Sequence, residues 1–571
     1  MRDEVGGGRS RRYVRNRVTR RGLLQGTGMA ELSDTDLREA GDFAAQAEAS
    51  ARGGDHAGAA RLWARARARA PANADYFIAL TRSLVSAGDP GAALDACDAA
   101  ETDLQRPVFA QLRRGQILYH DLARPDAARA CFEGVLAVES ANAAAHYGLA
   151  RIAFDRLDMD LARRHAALAL GGVDNLAALW LLIWVLGDYT AAITLSDRLL
   201  ADNPGHVELL VTRARAFYLM RRYDEALASF ARAAEHDPHR MGVGFGLAEL
   251  LLMVGDSKAG WRWFDSLVTE DLLQAVRPEV RPSLETYWQG QSLKGKHILV
   301  VHFLGIGDNI MMARFARELK ARGAHVTFCC RPELYRLFEN LAGVDDLRDS
   351  YDEEPWGNFD YWSFDYTLPR WLGASENAIP AFPEGYVDRP APTPGVERVP
   401  GRLRVGLCWC SAPVHFTGAS RFVPPEAFAP LADLQGVDWF VVQKGPFNPG
   451  FAARSGLFTM DPSHAWTDFR DTAAFMATLD LVISIDSSPL HLAGALGIPA
   501  WGLICAAPDW KWGLAEASPW YPQIRLFRQG RLDDWAPVIQ EVRAALEMWG
   551  LTPDSCGRVT MNSPRDNSAA P

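Results

Sequence analysis

Two periodicities divide this chain. From about residue 40 to 270 apolar residues recur at helical spacing in runs rich in Ala, Leu and Arg, poor in β-branched residues and broken by short polar turns. From about 296 onward the pattern changes to short continuous apolar runs alternating with helical stretches. The first pattern predicts stacked helices, and the second predicts buried parallel strands with crossover helices.

The turns of the first half keep a period. Gly54-Asp55 returns 34 residues later as Gly88-Asp89; Gly187-Asp188 returns after 34 as Arg221-Arg222 and after 34 more as Gly255-Asp256. Arg124-Pro125 and Leu157-Asp158 continue the series with slips of one to four residues. A 34-residue period of two helices is the tetratricopeptide signature. The copy Tyr223-Asp-Glu-Ala-Leu227, Phe230 and Pro238 agrees: small residues let the helices approach, Phe230 fills the layer between repeats, and Pro238 stops the second helix. This half resembles the tetratricopeptide family over roughly seven repeats at residues 41–270. Such solenoids offer a concave surface to partners; a scaffold or cap for the second half is the alternative.

In the second half, Lys296–Phe303 reads as a strand buried on both faces, followed by a turn at Leu304–Asp308, a helix from Asn309 to about Arg322, a strand at Ala324–Cys330 and a helix at Glu333–Leu341. A Pro/Gly-rich connector from Pro380 to Gly401 precedes a second set, with strands at Leu403–Cys410, Trp439–Gln443, Leu481–Ile485 and Ala500–Cys505 and helices near 424–434, 471–479, 489–496 and 532–548. Two successive doubly wound lobes, 280–398 and 401–550, create a cleft between facing strand ends.

Phe303-Leu-Gly-Ile-Gly-Asp-Asn-Ile-Met-Met-Ala313 resembles the first lobe of heptosyltransferase-like (family 9-like) glycosyltransferases. Leu479-Asp-Leu-Val-Ile-Ser-Ile-Asp-Ser-Ser-Pro-Leu-His-Leu-Ala-Gly494 resembles their second-lobe motif. With the repeats, Trp288-Gln-Gly290 and Asp509-Trp-Lys-Trp512, the chain is similar to bacterial repeat-bearing proteins of this kind over about 45–545. The resemblance implies a GT-B fold, a nucleotide-diphosphate sugar donor, inverting transfer, no essential metal and no cofactor. The acceptor, protein or glycan, would be recruited by the repeats; a scaffold with inactive transferase lobes is the alternative.

Implied site residues follow from the motifs. Gly305 and Gly307 shape the first turn, and Asp308 is the implied base, with a plain helix cap as its alternative. The backbone N–H groups at the start of the second-lobe helix favour a diphosphate. There Asp486 would contact the donor sugar and Ser487 and Ser488 its phosphates, unless Asp486 and Ser487 only cap the helix. His491, one turn in, is a donor contact or a packing histidine. Family members often carry Gly where Ser488 stands. Arg421 and Lys444 would hold phosphate or be surface charges; His415 remains in the Ser411–Ser420 loop, where the family has further polar residues. Asp471 and Thr472 read as a helix cap. Trp510, Trp512, Trp520 and Tyr521 read first as core.

Composition removes some classes. Among 571 residues, 48% are hydrophobic and 23% charged, and the net charge of −10 argues against a nucleic-acid partner. Residues 1–28 hold eight Arg and two acids, so they carry about +6 and the rest about −16. This reads as part of a disordered basic tail (1–40), with Met29 a possible start; 551–571 reads as a second tail. No apolar run reaches the ~18–20 residues of a membrane span. Eight scattered cysteines form no disulfide or zinc pattern; Cys408 and Cys410 read as strand packing, and reduced thiols fit a cytoplasmic protein. No Asp-x-Asp stands at a strand end, so the expectation is no metal.

Overall fold

The computed structural model describes residues 33–103, 107–275, 283–349, 358–374, 379–393, 398–411, 420–445 and 450–549. The basic segment 1–28, the tail 551–571 and His415 lie outside the described residues. Two compact units divide after Ser140. The first holds three helix pairs between Asp34 and Val138; the second begins with four more, from Ala143 to Ser266, and continues into the α/β half. The first helix starts at Asp34, earlier than the expected end of the tail. Ser33 caps it through Asp36 N–H, and Asp34 and Asp36 lie in its first turn, where acids are favoured.

The periodic turns have one backbone cause. Gly54, Gly88, Gly187 and Gly255 have positive φ, and so do Ala123, Leu157 and Arg221 at the equivalent places. Each turn thus needs one left-handed residue, which Gly supplies without a Cβ penalty. The Asp that follows often caps the second helix: Asp55, Asp158, Asp188 and Asp256 each accept from the third residue on. Arg124 and Arg222 occupy that place without a side-chain cap. Helix pairs pack through small residues. A Cβ on Gly246 would stand 2.2 Å from the Phe230 ring, so Gly there lets Phe230 fill its layer.

Two parallel sheets follow. The first has order β3-β2-β1-β4 from β1 (His297–Val301), β2 (His325–Cys330), β3 (Asp346–Asp349) and β4 (Tyr361–Phe364). The second has order β10-β9-β8-β5-β6-β7 from β5 (Leu403–Cys408), β6 (Val437–Val441), β7 (Thr459–Met460), β8 (Leu481–Ile485), β9 (Ala500–Ile504) and β10 (Arg525–Arg528). The architecture is the expected one, a helical repeat array followed by doubly wound α/β lobes. β3, β4, β7 and β10 were not legible in the sequence. All four are short and each ends its sheet; Asp346-Leu-Arg-Asp349 and Arg525-Leu-Phe-Arg528 are at least half charged, which hides the apolar run of a buried strand. The expected helix at 424–434 is a 3₁₀ segment, Pro425–Leu431, because Pro430 removes a helical donor.

Candidate active site

Each sheet reverses its strand order once, between β1 and the edge strand β4 in the first and between β5 and β8 at the middle of the second. In open α/β sheets the crevice outside the carboxyl ends at such a reversal receives ligands. β1 leads through Phe303 to Gly305, which precedes the helix Ile306–Met312. Asp308 reaches back over that helix start, accepting from Gly305 N–H at 3.1 Å. β8 leads through Asp486 to Ser487 and the helix Ser488–Leu496, with Pro489 in its first turn. The two helices pack against each other. A Cβ on Gly307 would stand 2.7 Å from His491 Cδ2, so the absence of a side chain at 307 lets the two motifs meet.

Charged groups gather at the meeting point. Lys511 Nζ lies 3.1 Å from Asp308 Oδ1 and 2.8 Å from Asp509 Oδ2. Arg421 Nη1 donates to Asp486 Oδ2 at 3.1 Å and to the Asp486 carbonyl at 2.9 Å. His491 Nε2 is 3.8 Å from Asp486 Oδ1, and its Nδ1 is 3.2 Å from the Tyr521 hydroxyl. Burial alone would raise the Asp308 carboxyl, but Lys511 and His491 bring it below its ordinary value. Burial likewise opposes charge on Asp486, and Arg421 and His491 overcome it, so this carboxyl is held far below the usual range. Lys511 is desolvated too, yet Asp308 and Asp509 hold its ammonium well above the usual lysine value. Two cations, Lys511 and Arg421, therefore face three carboxylates in a site shielded from water.

A fourth carboxyl sits behind them at the end of β4. Asp365 is fully buried and accepts from Asn309 Nδ2 at 3.0 Å. Burial pushes it up to about 7, against the Asn309 hydrogen bond and with help from the charge on Asp308.

Gly305, Gly307, Asp308, Arg421, Asp486 and His491 are thus brought together. Ser487 gives its helix no side-chain cap; its hydroxyl lies 3.3 Å from both Cys408 Sγ and Ser484 Oγ. Ser488 is the first residue of the same helix and half-buried. Lys444 is not in the cluster: it is exposed and donates to the Trp466 carbonyl. The cap in the 468–475 segment is Asp468, which accepts from Arg470 N–H; Asp471 instead accepts from Thr467 N–H. Trp510, Trp512, Trp520 and Tyr521 are buried core, as first read. Sequence reading passed over Lys511, Asp509 and Asp365 as site residues. Asp509-Trp-Lys-Trp512 was visible as a motif, but no spacing rule ties it to Asp308.

Family models described as tetratricopeptide repeat match residues 110–177 and 186–238. Those segments are tetratricopeptide repeats. Protein FlbA of Caulobacter vibrioides is 26% identical over 413 residues, covering 66% of this chain and 68% of that protein. A glycosyl transferase family 9 structure from Veillonella parvula aligns at 14% identity and TM-score 0.35, covering 46% of this chain and 99% of that one. The E. coli ADP-heptose LPS heptosyltransferase II aligns at 15% and TM-score 0.29, covering 44% of this chain and 99% of that one.

The tetratricopeptide repeats of the second unit reach the site. A cavity of about 770 Å³ is lined by Trp180, Trp184, Arg215 and Phe245 from the repeats and by Phe303 and Leu304, next to Gly305. A second, of about 650 Å³, shares Trp180, Trp184 and Arg215. Trp184 lies in a π-helical turn, Leu181–Leu186, that ends at left-handed Gly187; this extra residue per turn belongs to the repeat where the period slips most. Repeat aromatics also brace the lysine loop: Trp261 meets Trp510 edge-on at 5.4 Å, and the Tyr218 hydroxyl donates to the Pro508 carbonyl. Among the described residues, no helix is long and apolar enough to cross a membrane.

Proposed function

We propose that the α/β half is an inverting glycosyltransferase that moves a sugar from a nucleotide-diphosphate donor to an acceptor, protein or glycan, held by the repeats. The observation that carries this reading is the meeting of the Gly305–Asp308 and Ile485–Pro489 turns, with Asp308 and Asp486 on a shared buried charge cluster. In the proposed step, Asp308 takes the proton of the acceptor hydroxyl as the new C–O bond forms. The sugar–phosphate C–O bond breaks on the opposite face, and its electron pair leaves with the nucleotide diphosphate. Ser487, Ser488 and the uncapped start of helix Ser488–Leu496 receive the phosphates. Asp486 and His491 hold the sugar end, Arg421 beside Asp486 supplies a cation for the phosphates, and Gly305 and Gly307 give the turn room. The aromatic-lined cavity ending at Leu304 supports an acceptor approaching from the repeats.

One observation favours a second reading, a binding scaffold without turnover. Both buried cations are already paired with carboxylates, and Lys444 is directed elsewhere. A panel of nucleotide sugars followed by thermal shift and by release of the nucleotide separates the two. The transferase reading expects one donor to raise the unfolding temperature and to turn over, and Asp308→Ala to retain the shift but lose transfer. Full transfer by Asp308→Ala refutes the base assignment; absence of a shift with every donor leaves the scaffold.

A further inference from the structure

We propose that the amino-terminal edge of the first sheet carries a binding site for a divalent transition-metal ion of the zinc class, built by His297, His325 and Asp346. These residues offer one ligand atom each within 4.8 Å of one another. They lie at the starts of β1, β2 and β3, whereas Asp308 follows the carboxyl end of β1, so the site is separate from the charge cluster.

Backbone register sets the spacing. His297 pairs directly with His325 across β1 and β2, and Thr327 pairs with Asp346 across β2 and β3. Residues two apart on a strand share a face, so His325 and Thr327 bring His297 and Asp346 to one side of the sheet. The imidazoles of His297 and His325 meet edge-on with centroids 4.7 Å apart. His325 Nε2 lies 2.6 Å from Asp346 Oδ2, and His325 Nδ1 lies 3.9 Å from Asp345 Oδ2. Ligands on paired strands are held more rigidly than ligands on loops.

An outer shell is present. Thr327 Oγ1 lies 2.8 Å from His297 Nε2, a contact that orients that ring. Asp345 is held by Lys320 Nζ at 2.6 Å and by Val326 N–H at 2.8 Å, a fixed second carboxylate beside the site. Two imidazoles with a carboxylate suit zinc and its neighbours; calcium and magnesium prefer all-oxygen shells. The ligands are solvent-facing, His325 keeping 51% of its side-chain surface exposed, so water completes the coordination. No contiguous motif announces the site, because its members come from three separate strands.

Calorimetric titration of the untagged, chelator-stripped full chain with ZnCl₂ tests this, with MgCl₂ as the control. The expected result is one Zn²⁺ per chain and no magnesium heat, with affinity weakened at least tenfold in His325→Ala and in His297→Ala. Co²⁺ in place of zinc should give visible ligand-field absorption that His325→Ala abolishes. Circular dichroism confirms that the exposed His325→Ala variant is folded. Failure of the wild-type chain to take up zinc, or zinc binding that neither substitution weakens, overturns the proposal.

Discussion

At the scale of single residues, the decisive contact is Lys511 on Asp308. A carboxylate held by an ammonium is a weaker base than a free one, so under the proposed reaction Lys511 must leave Asp308 as a phosphate arrives. The two anions compete for one cation. Asp308→Asn should therefore tighten binding of a nucleoside diphosphate by about tenfold, or about 1.4 kcal/mol, while Lys511→Met weakens it at least as much. Fluorescence or calorimetric titration with UDP, GDP and ADP reads both variants; unchanged affinity in both would remove Lys511 from the donor site. Asp365 gives a second residue-scale test. Its folded value of about 7 lies above the ordinary 3.8, so the folded chain keeps a proton that the unfolded chain releases between those limits. Stability from this group is present below about pH 4, falls as pH rises to about 7, and is flat beyond. Asp365→Asn mimics the protonated acid and should match wild type near pH 4 but unfold at higher temperature at pH 8. At about 1.36 kcal/mol per unit the difference is bounded near 4 kcal/mol. Paired melting curves at the two pH values check the sign.

At the scale of elements, the repeat turns show what a sequence discloses and what it hides. The Gly-Asp pairs were legible because Gly satisfies a left-handed backbone and Asp caps the next helix, so both are chemically forced. Ala123 holds the same left-handed position with φ +50° on an exposed turn, where a Cβ costs roughly 1–2 kcal/mol. Ala123→Gly should stabilise the first unit by about 0.5–1 kcal/mol after the entropy cost of Gly, seen as a higher urea midpoint for its unfolding; a lower midpoint would deny the strain. The same logic explains the strands. β1, β8 and β9 are buried on both faces and read as nearly continuous apolar runs, whereas β3 and β10 at the sheet edges carry two or three charges in four residues and lose that signature. The turns at Gly305 and Asp486 were legible as motifs, and Gly307 as a small residue. Their meeting partners were not: Lys511 reaches Asp308 from the segment between β9 and β10, and nothing local in Asp509-Trp-Lys-Trp512 encodes that distance.

At the scale of the second unit, the repeats are part of the α/β core. One continuous hydrophobic cluster includes Leu179, Phe217, Phe230 and Phe264 from the repeats and Tyr366, Trp510 and Trp520 from the α/β half. Phe264 packs on both Tyr366 and Trp510, with ring centroids 5.6 and 5.9 Å apart. The Asp265 carboxylate accepts from Trp371 Nε1 at 2.8 Å and pairs with Arg370. Removing the repeats would strip aromatic surface from the loop that holds Lys511 and leave the Arg370 cation without this carboxylate, so the cost is both apolar and electrostatic. A fragment of residues 283–549 should therefore aggregate or expose dye-binding surface, while 141–549 should unfold in one cooperative transition. The milder variant Trp261→Ala should cost about 3–5 kcal/mol and also weaken nucleoside diphosphate binding, because the edge-on contact with Trp510 fixes the lysine loop. If 283–549 proves as stable as 141–549, or if Trp261→Ala loses stability without changing diphosphate affinity, the repeats act only as a cover and the coupling between them and the charge cluster is absent.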